Sequence, residues 1–271
     1  MAKLAHVTLA ACAAAAGLMT ATVPAAADSA TFEGFRTEAF GTRPILSGNG
    51  IVSLKAPYRP DDVRAVPMSV DARLTDGRTI SKITFIVDNN PSPVVAAFDI
   101  GGQRSSASIA IRFRLNQQSD VRAVVEASDG QLYMAERLVK FAGGQAACAA
   151  PPSAPPEVIA ANMGKMALAE IASGAQTSLT PRMKLELSHP NHTGMVLDQI
   201  TLLYTPVKMV EKIAVKQGRD TVFTMAGSIA LNENPVIEFD MARNGASDVT
   251  IDVLDTDGQR FAKTVQLGPN S

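Results

Sequence analysis

The chain has no tryptophan, aromatic residues make up only 5% of it, and its two cysteines, Cys12 and Cys148, lie far apart. A disulfide framework is therefore excluded as the source of stability. Any core must come from aliphatic side chains, which the 46% hydrophobic composition allows. A basic excess is also missing. The 25 Lys and Arg are matched by 26 Asp and Glu, which removes the electrostatic footprint of a nucleic-acid binder. Histidine is scarce. Beyond residue 27 only His189 and His192 remain, in Ser188-His189-Pro190-Asn191-His192, and no third ligand stands at a spacing that would complete a metal site. Nothing in the sequence marks a cofactor, and nothing beyond the histidines' existence supports a hydrolase triad.

Charge is almost absent from the first 27 residues, where Lys3 stands alone before the small, apolar run Leu4 to Val23. Pro24 and Ala25-Ala26-Ala27 then present an A-x-A site, so residues 1–27 are expected to be a signal peptide cleaved after Ala27. The run is too rich in Ala and Thr to hold as a membrane span, and no stable membrane insertion is expected. Leu9-Ala10-Ala11-Cys12 resembles a lipoprotein box, but the apolar stretch before it is short for that purpose. Export places the mature chain in the periplasm with one basic group fewer, a formal charge of -2. Cys148 is then left without an internal partner in an oxidising compartment. It must be buried, paired with another molecule, or used.

Period-two alternation dominates the rest. Val66, Met68, Val70, Ala72 and Leu74 share one face; Ala107, Ile109, Ile111, Phe113 and Leu115 do the same, as do Val121, Ala123, Val125 and Ala127. Asn89-Asn90-Pro91-Ser92-Pro93 interrupts the first set, and Ser128-Asp129-Gly130-Gln131 predicts a hairpin turn leading into a strand that ends at Phe141. A second set follows at Met183–Leu187, Ile200–Tyr204, Ile213–Val215 and Val249–Val253, the last running into Asp257-Gly258. Only Glu157 to Ala172 hints at a helix. The fold class is all-β, with two immunoglobulin-like β-sandwich domains in tandem. The hairpin sequences V-R-A-V-V-E-A-S-D-G-Q-L-Y and V-T-I-D-V-L-D-T-D-G-Q-R-F echo each other across the two halves. The expected boundaries are an N-terminal segment 28–44, a first sandwich 45–141, a linker 142–164 and a second sandwich 165–271.

The linker contains A-G-G-Q-A-A-C-A-A-P-P-S-A-P-P, small residues and prolines that build no core, so an exposed, semi-extended segment is expected. Cys148 lies in its middle. The reading is of an accessible thiol that alkylates almost as fast as a free one, with slim flanks suited to entering another protein's active site. No local charge activates it.

These residues resemble a known family. Ala65-Val66-Pro67-Met68-Ser69-Val70, Asn90-Pro91-Ser92-Pro93 and Ser128-Asp129-Gly130 resemble the sulfur carrier subunit SoxY. Ser188-His189-Pro190 with Thr193-Gly194, Asn234-Pro235 and Asp257-Gly258 resemble its partner SoxZ. The chain is similar to fused SoxYZ-like carriers associated with quinoprotein dehydrogenases. The resemblance implies a non-catalytic carrier in which Cys148 holds a small sulfur-containing cargo covalently. Implied partners are periplasmic redox enzymes, a c-type cytochrome or a quinoprotein dehydrogenase, that load and unload the thiol. The family's arm is a free glycine-flanked C-terminus, whereas here the flanks of Cys148 are Ala and the chain continues. A second reading is a binding or assembly module that docks a dehydrogenase, with Cys148 incidental.

Overall fold

The structure is a computed structural model that describes residues 30–141, 143–171 and 180–268; the expected signal peptide, with Cys12, lies outside them. Two β-sheets face each other. In chain order the first half supplies β1 (Ile45–Ser47), β2 (Val52–Lys55), β3 (Val66–Arg73), β4 (Ile80–Val87), β5 (Val94–Ile100), β6 (Ser106–Phe113), β7 (Ser119–Ala127) and β8 (Leu132–Val139). The second half supplies β9 (Met166–Ile171), β10 (Arg182–Leu187), β11 (Val210–Gln217), β12 (Asp220–Gly227), β13 (Val236–Asp240), β14 (Asp248–Asp255) and β15 (Arg260–Gln266). The all-β expectation holds, and the alternation that announced it is the alternation of burial: β3 reads buried at Val66, Met68, Val70 and Ala72.

Both sheets run through both halves. The larger has nine strands in the order β1-β8-β7-β4-β5-β12-β11-β14-β15, the smaller six in the order β2-β3-β6-β13-β10-β9. Reading each order from its middle outward pairs β5 with β12, β4 with β11, β7 with β14 and β8 with β15, and likewise β6 with β13, β3 with β10 and β2 with β9. The halves are thus related by a pseudo-twofold axis, and the echoing hairpins are its two equivalent members. Gly130 and Gly258 take the same positive φ there, 83° and 76°.

The seam is antiparallel in both sheets, with Phe223 to Gly227 opposite Ile100 to Ala96 and Glu238 and Phe239 opposite Ala110 and Ile109. One continuous core lies between the sheets. Four phenylalanines carry it across the seam edge to face: Phe85 to Phe98 at 5.8 Å, Phe98 to Phe223 at 5.3 Å and Phe223 to Phe239 at 5.0 Å between centroids. On the far face of the smaller sheet Arg104 pairs with Asp240 across the seam, and Asp240 also accepts the Ser108 N–H at 2.7 Å.

Three expectations are corrected. Residues 30–40 form a helix, α1 (Ala30–Phe40), which sets Phe32 and Phe40 on Ile86, Val124 and Leu132 and so buries the outer face of β4 and β7. Beneath it Arg122 is fully buried, paired with Asp88 at 2.9 Å and stacked on Phe32 at 4.3 Å. The helical pattern from Glu157 shortens to α2 (Pro156–Asn162), and Met166–Ile171 pairs instead with β10. Residues Ile200, Leu202 and Tyr204 form no strand. The Asp198 carboxylate accepts the N–H groups of Ile200 (2.9 Å) and Thr201 (2.7 Å), curling the chain into a turn in which Leu202 has φ 57°. That local capture defeats the alternation and leaves Ile200 92% exposed.

Candidate functional site

Cys148 is not exposed. It sits in a single 3-10 turn, Ala147–Ala149, with no accessible surface. This overturns the expectation of an exposed thiol, while the described residues on either side of Ala147 and Cys148 in the linker stay exposed or half-buried as expected, and the reason lies outside the linker. The cleft that receives the segment is made by chain from both halves: the residues just past β6 on one side, and the turn 188–194 on the other. Small side chains are what let it fit so closely.

Backbone bonds fasten the cysteine. Asn116 Oδ1 accepts the Cys148 N–H at 2.8 Å, and Thr193 Oγ1 donates to the Cys148 carbonyl oxygen. Each holder is itself held. Asn90, buried in the loop before β5, donates from Nδ2 to the Arg114 carbonyl oxygen and accepts the Asn116 N–H at 3.1 Å. Opposite, His189 Nδ1 accepts the Asn191 N–H at 3.0 Å, which leaves the ring proton on Nε2, facing Asp255 Oδ2 at 3.5 Å. Asn191 (φ 46°) donates to the Leu231 carbonyl at 2.8 Å and accepts the Val210 N–H at 2.9 Å. The two short motifs singled out in the sequence, Asn90-Pro91-Ser92-Pro93 and Ser188-His189-Pro190 with Thr193-Gly194, thus converge on Cys148 from opposite halves.

Electrostatically the thiol is quiet. Burial pushes its pKa up, opposed by the Arg114 charge and a hydrogen bond from Asn116, so the docked sulfur is kept as neutral thiol at neutral pH. Burial also holds His189 and His192 below the ordinary histidine range. His189 Nε2 and Asp255 Oδ2 face each other without a well-formed hydrogen bond, so His189 acts on its turn through Nδ1, which accepts the Asn191 N–H. Among the described residues no group of three or more His, Cys, Asp or Glu is arranged to hold a metal ion.

The arm has hinges. Gly143 and Gly144 adopt φ 93° and 103° with open space where a Cβ would lie, so conformation rather than crowding requires glycine at both. After the cysteine, Pro151 and Pro152 stiffen the returning limb, and Ser153 N–H reaches Glu233 at 3.0 Å. Beside that limb runs a groove of about 540 Å³, walled by Pro152, Ile159 and Met163 on one side and Val196, Leu197 and Thr205 on the other.

Few bonds keep the arm docked. With each of the two backbone bonds at Cys148 contributing about 1 kcal/mol and small side chains adding little, undocking costs roughly 2–4 kcal/mol. Iodoacetamide should then alkylate Cys148 about 30- to 1,000-fold more slowly than a free thiol. Asn116→Ala and Thr193→Val should each speed the reaction by about 2- to 10-fold without lowering the melting temperature appreciably. Labelling at the free-thiol rate in the native protein would contradict the docked arrangement.

Asn116, Arg114 and the cleft were not found by sequence reasoning. Asn116 follows a strand and carries no pattern, while Thr193 stood inside a quoted motif without a role.

Comparison with known proteins places these halves. The family model described as "Sulfur oxidation protein SoxY" matches residues 36–146, and that described as "Sulphur oxidation protein SoxZ" matches residues 172–266. Among solved structures, the sulfur carrier protein SoxY from Chlorobium limicola f thiosulfatophilum is 28% identical, with 41% of this chain and 94% of that chain covered at a TM-score of 0.35. Among curated proteins none matches the chain.

Proposed function

Because one chain carries a SoxY-family domain followed by a SoxZ-family domain, a fused SoxYZ-like protein of the sulfur oxidation type, we propose that it is a periplasmic, non-catalytic carrier whose Cys148 holds a small sulfur-containing cargo covalently for partner enzymes. The observation that carries this reading is the mounting of Cys148. It lies on a segment hinged at Gly143-Gly144, tethered at both ends, and fastened through its backbone by groups from both halves.

That mounting answers two demands of a carrier. Docked, the thiol is shielded and neutral; undocked, it stands at the apex of a loop and meets water, where its pKa returns towards the ordinary value of about 8.5. Loading then proceeds by one of two routes. Coupling the Cys148 thiol to a cargo thiol removes two electrons, which a partner redox enzyme, a c-type cytochrome or a quinoprotein dehydrogenase, would accept, and two protons, which pass to water. Exchange with a disulfide needs no oxidant, since the attacking thiolate expels a thiolate. The turn with exposed Ile200, Leu202, Leu203 and Tyr204, next to the apolar groove along the arm, supplies a surface where a partner can settle.

No helix among the described residues is long and apolar enough to cross a membrane. The second reading, an assembly module with an incidental cysteine, is favoured by one observation, the complete burial of Cys148, which is how an inert structural thiol lies. Intact-mass analysis of protein purified from its own host separates the two. A carrier shows a population bearing sulfur-containing adducts that map to Cys148 and are removed by a thiol reductant; uniformly unmodified protein would favour the assembly module.

A further inference from the structure

Arg114 follows directly on β6 and is 7% exposed. Its guanidinium donates to main-chain oxygens of Ile229 (3.1 Å), Leu231 and Pro190 (3.4 Å), all of them neutral. Among the described residues it forms no ion pair with a carboxylate. Glu233 is in the same pocket wall and acts on it only at a distance, and that carboxylate is bonded to the Ser153 N–H. A buried guanidinium satisfied in hydrogen bonds but not in charge favours any anion brought beside it. The arm brings one candidate. Asn116, two residues from Arg114, holds the Cys148 N–H, while Pro190, bonded to Arg114, shares a turn with Thr193, which holds the Cys148 carbonyl. Arg114, Ala147 and Thr193 line one small cavity of about 30 Å³, whose other ionisable groups are Arg64, His192 and Glu233.

We propose that Arg114 is the specificity residue of the docked arm, favouring docking when the sulfur group on Cys148 is anionic over docking when it is neutral. The inference rests on Cys148 being the cargo site and adds the residue by which the docked arm distinguishes a charged sulfur group from a neutral one. The neutral thiol docks through its backbone bonds alone. An anionic adduct adds attraction to Arg114, and a neutral adduct of the same size meets the same crowding without that gain.

Two synthetic adducts of nearly equal shape test it. Prolonged treatment with iodoacetate or iodoacetamide forms the C–S bond as iodide leaves, giving S-carboxymethyl Cys148, which is anionic, or S-carboxamidomethyl Cys148, which is neutral. Backbone hydrogen exchange over residues 145–150 should be about 5- to 10-fold slower in the anionic adduct. The difference should vanish in Arg114→Met and persist in Arg114→Lys, which a merely structural Arg114 would not produce. Equal exchange in the two wild-type adducts, or a difference that survives in Arg114→Met, overturns the proposal. Should the methionine variant not fold, the wild-type pair decides alone. Because the adducts are synthetic, the result is independent of whether host-derived protein carries cargo.

Discussion

Cys148→Ser is expected to abolish carrier function completely while changing stability by no more than about 1 kcal/mol. The residue's fastening is through its N–H and carbonyl, which serine keeps, and a hydroxyl fits where the thiol lay beside Asn116. What serine cannot do is form the bond to sulfur, because its hydroxyl is far less acidic than a thiol and offers no sulfur for exchange. Thermal melting and growth of the host under conditions that need the protein measure the two halves of the expectation. Growth like wild type in the serine strain, where the deletion fails, would sink the carrier reading and promote the assembly module. A large drop in melting temperature would instead show that the thiol is part of the packing.

Phe223→Ala should have the largest effect on stability, a loss of about 3–5 kcal/mol. Phe223 is 1% exposed and stands between Phe98 of the first half and Phe239 of the second, so its removal opens a void at the seam rather than within one half. Since the core is continuous, urea unfolding of the wild type and the variant should each show one transition, shifted to lower urea in the variant. Two separate transitions, with only the second-half transition displaced, would mean that the halves are energetically independent. Val265→Ala, on the strand at the far end of the larger sheet, is a suitable control and should cost much less.

Much of the fold could be read from alternation, because β3, β6, β10, β11 and β14 each present one face to the core, and period two is what a half-buried strand must show. Where both faces are covered the pattern is blurred. In β7 Arg122 and Val124 are as buried as Val121 and Ala123, because α1 lies over them, and nothing in the strand itself announces a helix from residues 30–40. The continuous sheets were not legible either. Hydrogen bonds between β5 and β12 join residues more than a hundred positions apart, and single-chain periodicity carries no record of which strand lies beside which. The site was half legible. Cys148 stood out by arithmetic and the two proline-containing motifs by resemblance, but their meeting at one cleft is a property of three-dimensional closure. The misjudged exposure has the same origin: Ala and Cys look solvated in a linker until the walls that receive them are known.

The seam has a consequence for each half by itself. β5 and β6 close the first half, and β12 and β13 close the second; taken alone, each half would end in rows of unpaired N–H and C=O groups on both sheets. Such rows are templates for pairing with whatever strand arrives first, the usual beginning of aggregation. In the fused chain each row is capped by its counterpart, supplied in equal number and at high local concentration by the same polypeptide. The joining segment therefore does more than carry a thiol. It makes each half the chaperone of the other's open strands, and a truncated gene product ending near residue 141 should accumulate as insoluble material rather than as a small free domain.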